Sequence, residues 1–166
     1  MQLFVILRVK LQDANLKNEI INIVEDYQSA FFQRHQDTEI LCQSARKVAA
    51  MHFGGVTVEC LLKSMILATL PRGANREWKN DSNNPGHTIT NPGHDFQDAL
   101  KRHNRLRDRI QKVPQVMNWL VTVEKPSQHF IDMRYSSNEL NDTDYKEWHS
   151  AYNSLIGWLQ KQSTTL

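Results

Sequence analysis

The sequence predicts an all-α fold, one domain built as a helical bundle of about four or five helices. Three observations lead there. Apolar residues recur at three- and four-residue intervals near both ends of the chain, the spacing of a single helix face. Between them lies a stretch that is apolar around most of a helical circumference, as a central helix would be. No internal repeat or low-complexity tract breaks the pattern, and 166 residues are enough to bury roughly two thirds of the unfolded surface without a staple.

Residues 1–12 read equally as a strand or as the first turns of a helix, because a short apolar run does not separate the two. From Leu16, the residues Ile20, Val24, Tyr27 and Phe31 share one face and predict a first helix running to about Arg46. Met51, Phe53, Val58, Leu62, Met65 and Ile66 belong to a second helix, expected over residues 48–70 and ended by Pro71. Residues 72–93 collect Gly, Pro, Asn and Asp without apolar periodicity, a loop long enough to suggest function or mobility. A third helix is expected from His94 or Asp95, with Asp95 as cap, to about Lys112. A short apolar stretch over residues 116–123 follows, and Pro126 interrupts the chain. The final helix is expected from about Asn141, capped by Asp142 or Thr143, with Tyr145, Trp148, Tyr152, Leu155, Ile156 and Leu159 on one stripe.

Composition narrows the function classes. The formal net charge of +2 is too small to argue for nucleic acid by itself, so local charge distribution must decide. Cys42 and Cys60 sit in helical apolar patterns rather than a C-x-x-C spacing, which predicts buried thiols and no metal role. The run Leu3 to Leu7 is far too short to span a bilayer and lacks a signal-peptide cleavage pattern, so a cytoplasmic location without membrane contact is expected.

The segment Gly54-Gly55-Val56-Thr57-Val58-Glu59-Cys60-Leu61-Leu62-Lys63 contains small residues followed by V-E-x-x-L-K, and Gly93-His94-Asp95-Phe96 supplies a later G-H-D-F piece. Arg134-Tyr135 ahead of the last helix is a third match. In order and spacing, over about residues 25–161, these resemble the HEPN family of nucleotide-binding domains. The resemblance implies an up-and-down helical bundle that forms a homodimer, with a basic, polar cleft that takes RNA or nucleotide and no cofactor.

Family members that cut RNA carry Arg-x(4-6)-His in the second half of the domain. After Arg134 the required positions hold Glu139, Leu140 and Asn141, so that motif is absent, and with it a group titrating near neutral pH. Arg46 with His52 matches the spacing in the wrong half, and such a loose pattern arises readily among seven histidines. It is read as chance. A divergent ribonuclease, using Arg46 with His52 or recruiting His94 or His103, and a protein-interaction module are the alternatives to binding.

Residue by residue, His52, Glu59 and Lys63 form a polar stripe on the second helix, either an exposed i,i+4 pair or part of a cleft. On the third helix Lys101, Arg102, Arg105, Arg109 and Lys112 share a face that suits a phosphate backbone. His103 and Arg107 turn toward its apolar side and need partners there, which either an ion pair with Glu59 or a site would supply. The candidate ligand-binding residues are therefore His52, Glu59, Lys63, Arg102, Arg105, Arg107, Arg109, Arg134 and Tyr135. Trp78, Trp119, Trp148 and Trp158 read as core or interface anchors, with Trp78 also able to stack a base. His87 and His94 flank the long loop without zinc-helix spacing, so no metal is expected.

Overall fold

The computed structural model describes residues 26–71, 74, 78–79, 89–137 and 140–165. Among these the protein is all-α: α1 Tyr27–Gln43, α2 Lys47–Ala68, α3 Phe96–Lys101, α4 Asn104–Gln111, α5 Pro114–Glu124 and α6 Asp142–Ser163. A 3-10 turn, Asp132–Tyr135, and a short pair of two-residue strands, β1 Trp78–Lys79 and β2 Ile89–Thr90, complete the order. The strands pair in parallel, Trp78 opposite Ile89, inside the segment whose composition predicts only loop. The expectations for residues 1–12 and for the start of the first helix lie outside the described residues.

α2 is the axis of the bundle. It packs against α1, α3, α5, α6 and the 3-10 turn, as its nearly all-round apolar surface requires. It is also the one described helix long and apolar enough to cross a membrane, and 72% of that window is buried inside the protein. Gly54 and Gly55 explain how aromatic rings reach it so closely. A Cβ on Gly54 would lie 2.5 Å from the Trp148 ring, and one on Gly55 would lie 2.2 Å from the Phe130 ring. Trp148, Tyr152, Phe96 and Phe130 are the largest fully buried side chains around this axis.

Helix ends follow the local chemistry. Asp26 caps α1 by accepting from Ser29 N at 2.9 Å, and the Ser29 hydroxyl, followed by this N–H, holds its carboxyl below the usual aspartate range. α1 stops at Gln43, before the expected Arg46. There Arg46 N donates to Leu41 O at 2.9 Å and Ala45 N to Cys42 O at 3.1 Å, with Ala45 at φ 53. That is a Schellman end with alanine where glycine is usual. Asp95 caps α3 as expected, accepting from Asp98 N at 2.7 Å. α6 is capped by Asn141, which accepts from Asp144 N at 2.8 Å, and not by Asp142 or Thr143.

The expected third helix is two helices. α3 ends at Lys101, and His103 starts α4 as its N-cap, its Nδ1 accepting from Leu106 N at 3.2 Å. An imidazole acting as a cap leaves no periodicity signal, so the apolar spacing runs unbroken through the kink. Cys60 is buried and Cys42 half-buried, and both are free thiols. Of the tryptophans only Trp148 is fully buried; Trp78, Trp119 and Trp158 pack half-buried against the core.

Candidate functional site

The polar stripe on α2 divides into two sites separated by Phe130. Toward the helix start, His52 donates from Nδ1 to the Phe130 carbonyl at 2.9 Å. A carbonyl can only accept, so this contact puts the proton on Nδ1 and leaves the Nε2 lone pair available in the neutral ring. His52 lines a cleft of about 870 Å³ together with Arg46, Lys47, Arg134, Ser136 and Ser137. Among the described lining residues no carboxylate occurs.

The cleft's cations differ in role. Lys47 is spent on structure, donating to Leu140 O at 3.2 Å and pairing with Asp142, whose carboxyl it holds below the ordinary range. Arg46 makes no side-chain hydrogen bond or ion pair among the described residues and sits at the cap position of α2, which lacks any side-chain cap. The first-turn N–H groups of Lys47, Val48 and Ala49 therefore have no helix partner, and these residues line the cleft. Arg134 stacks its guanidinium over the Tyr135 ring at 4.7 Å, and Tyr135 is 79% exposed.

On the other side of Phe130, Glu59 is held between Lys63 and His94. Its Oε1 accepts from Lys63 Nζ at 2.7 Å and its Oε2 meets His94 Nδ1 at 2.8 Å. Lys63 is 4% exposed and lies 5.3 Å over the Tyr27 ring, which in turn meets Trp78 edge-on. The His94 ring edge faces Phe130 at 6.3 Å. A carboxylate on Nδ1 fixes the imidazole orientation and again leaves Nε2 outward, on a half-exposed side chain. The loop that carries His94 is anchored by Glu124, buried, whose Oε1 accepts from Phe96 N at 2.7 Å. Thus the V-E-x-x-L-K and G-H-D-F segments come into direct contact.

The basic face expected on the third helix is dispersed by the break at His103. Lys101 pairs with Asp98 at 2.7 Å. Arg102 donates from Nε to Thr90 O at 2.6 Å and from Nη1 to Asp98 O. Arg109 clamps the end of α6, bonding Gln162 Oε1 at 2.7 Å and Thr165 Oγ1 at 2.8 Å, where a cation also answers the helix dipole. Arg107 lies 3.7 Å from Asp108, half-buried. Glu59 partners neither His103 nor Arg107, because Lys63 and His94 occupy both of its oxygens. Arg102 and Arg105 instead border a second cavity, at the far end of α2.

Of the candidates, His52 and Arg134 share the cleft with Tyr135 beside it, whereas Glu59 and Lys63 form the second cluster. Two contributors stood outside the candidate ligand-binding set, offered only to the ribonuclease alternative: Arg46, through its spacing to His52, and His94, as a recruited histidine. The juxtaposition of the two motifs was the available signal for His94. No family model, curated protein or solved structure matches the chain.

Proposed function

We propose that this protein is a HEPN-like module that binds RNA or nucleotide, holding phosphate in the cleft between the start of α2 and the 3-10 turn. One observation carries the reading: Arg46, His52 and Arg134 line a single cleft without a lining carboxylate, beside an uncapped helix start. Guanidinium groups and open helix N–H groups are the natural donors to phosphate oxygens. Tyr135, exposed and braced by Arg134, offers a face for a base. The motif resemblance supports the family, and with it a cytoplasmic homodimer. Single-stranded RNA binding, followed by fluorescence anisotropy across a salt series, tests it. Affinity should fall steeply with salt and be lost in Arg46→Glu and Arg134→Glu variants. Binding that ignores salt, or its complete absence, overturns the reading.

A second reading, cleavage of the bound RNA, is favoured by one geometric fact. His52 sits in the cleft with its Nε2 unprotonated in the neutral ring, next to two arginines, so a general base and charge-stabilising groups are present together. Turnover that disappears in His52→Ala would establish it, and an inert unmodified protein would remove it.

A further inference from the structure

A nucleic acid strand can meet a cleft in two ways, as a backbone of phosphodiesters running through it or by a phosphate at its end. The charges around the start of α2 separate the two. A backbone needs cations in succession to follow its phosphates. Among the described lining residues Arg46 and Arg134 are the cations without an ion pair, since Lys47 is held by Asp142. Beyond them the surface changes sign. Asp132 opens the 3-10 turn that carries Arg134, and Asp142 and Asp144 occupy the first turn of α6, just past the lining residue Leu140; all are exposed. The third-helix cations do not extend the path. Arg102 borders the cavity at the other end of α2, a 22-residue helix ~33 Å long. Lys101 and Arg109 are engaged by Asp98 and by the end of α6. A diester chain leaving the cleft over the 3-10 turn or the start of α6 therefore meets carboxylates instead of donors.

His52 points the same way. Its Nδ1 proton is committed to the Phe130 carbonyl, so in the neutral ring Nε2 presents a lone pair. A phosphodiester has no proton to offer this atom and sets an anionic oxygen against it. A phosphomonoester has its second ionisation at about pH 6, so it and the imidazole can share one proton in either direction, as O–H to Nε2 or as Nε2–H to oxygen. Charge matches as well. A monoester at neutral pH carries between about 1.5 and 2 negative charges on three oxygens, and two guanidinium groups offer it paired N–H donors. Tyr135, exposed beside Arg134, stands where the base of that same nucleotide can stack.

We propose that this cleft uses Arg46, Arg134 and His52 to recognise a terminal phosphomonoester, carried by an RNA end or by a mononucleotide, in preference to an internal phosphodiester. This specificity rests on the RNA- or nucleotide-binding function proposed for the same cleft.

The test titrates the full chain, at one moderate salt concentration, with a single RNA sequence prepared in three forms: 5′-phosphorylated, 3′-phosphorylated, and with hydroxyls at both ends. Each form carries the same internal fluorophore and is followed by anisotropy, with adenosine monophosphate added as competitor. One of the phosphorylated forms should bind about tenfold tighter than the hydroxyl-ended form, the gain expected of added charge-assisted hydrogen bonds. Displacement of that form by adenosine monophosphate shows that a mononucleotide suffices, and resistance to displacement assigns the site to RNA ends. His52→Ala should weaken the preferred phosphorylated form more than the hydroxyl-ended one. Equal affinity for the three forms, or a preference untouched by His52→Ala, overturns the proposal and leaves RNA binding standing. No binding of any RNA or of the mononucleotide removes the binding function, and this specificity with it.

Discussion

Glu59 Oε2 and His94 Nδ1, from segments thirty-five residues apart, meet at 2.8 Å while the other oxygen of Glu59 holds buried Lys63. The pair is the physical link between two motifs that the sequence shows only in series. Its energetics are unequal. Lys63 has a side chain only 5% exposed and has Glu59 as its carboxylate partner, whereas the His94 side chain is 51% exposed and remains hydrated.

Glu59→Leu should therefore cost about 3 kcal/mol in chemical denaturation, because it strands a buried ammonium. Adding Lys63→Met should recover most of that loss, since an apolar pair of similar volume avoids desolvation altogether. His94→Ala should cost less than about 1 kcal/mol, as half-exposed ion pairs do. A double variant as unstable as the single one would show that Lys63 is not the source of the cost.

Gly55 is the seat of Phe130, with a built Cβ 2.2 Å from that ring. Gly55→Ala must push the ring, and with it the carbonyl that orients His52, away from α2. A loss of about 3 kcal/mol in stability is expected, together with weakened RNA binding, read from thermal melting and anisotropy on the same samples. Wild-type stability in Gly55→Ala would contradict this packing.

Helices whose faces repeat at 3.6 residues were legible in the sequence: α2 begins and ends within two residues of its expected limits, and Asp95 caps α3 as its position suggests. What defeated the reading were interactions without period. The His103 ring caps α4 in the middle of continuous apolar spacing, and Ala45 adopts a left-handed conformation that only a neighbouring glycine would have signalled. The cleft itself depends on the 3-10 turn folding Arg134 back beside Arg46 and His52, a contact that joins residues far apart in the chain. Charge counting on a helical wheel overstated the third-helix stripe, because Arg102 and Arg109 serve carbonyls of the fold.

Ala45 sits at φ 53, where a Cβ is strained against the following carbonyl. Ala45→Gly should stabilise the protein by about 1 kcal/mol, visible as a higher denaturant midpoint with an unchanged slope. A lower midpoint would mean that the methyl group earns its place in the cleft wall.

His103 gives a pH signature. Burial, then the nearby Arg105 and Arg109 charges, lower its pKa below the ordinary histidine value of 6.5. The unfolded chain thus binds the proton more readily than the folded one. Stability is fully present above about pH 6.5 and declines as pH falls from there toward the folded-state value, below which this contribution levels off. Denaturation midpoints between neutral and mildly acidic pH should show this decline in the unmodified protein and lose that component in His103→Asn. An identical decline in the variant would assign it to other groups.

Arg134 and Arg109 provide the sharpest contrast between cations that bind and cations that build. Arg134 lines the cleft with its guanidinium against an exposed tyrosine, while Arg109 is tied by three hydrogen bonds to Gln162 and Thr165. Arg134→Ala should leave the melting temperature nearly unchanged, weaken RNA binding, and reduce the slope of log affinity against log salt by about one. Arg109→Ala should do the reverse, lowering the melting temperature by releasing the end of α6 while the salt slope stays as in the parent. Equal losses of RNA affinity in both variants would return the third-helix stripe to the binding surface, because only a ligand spanning both regions depends on each.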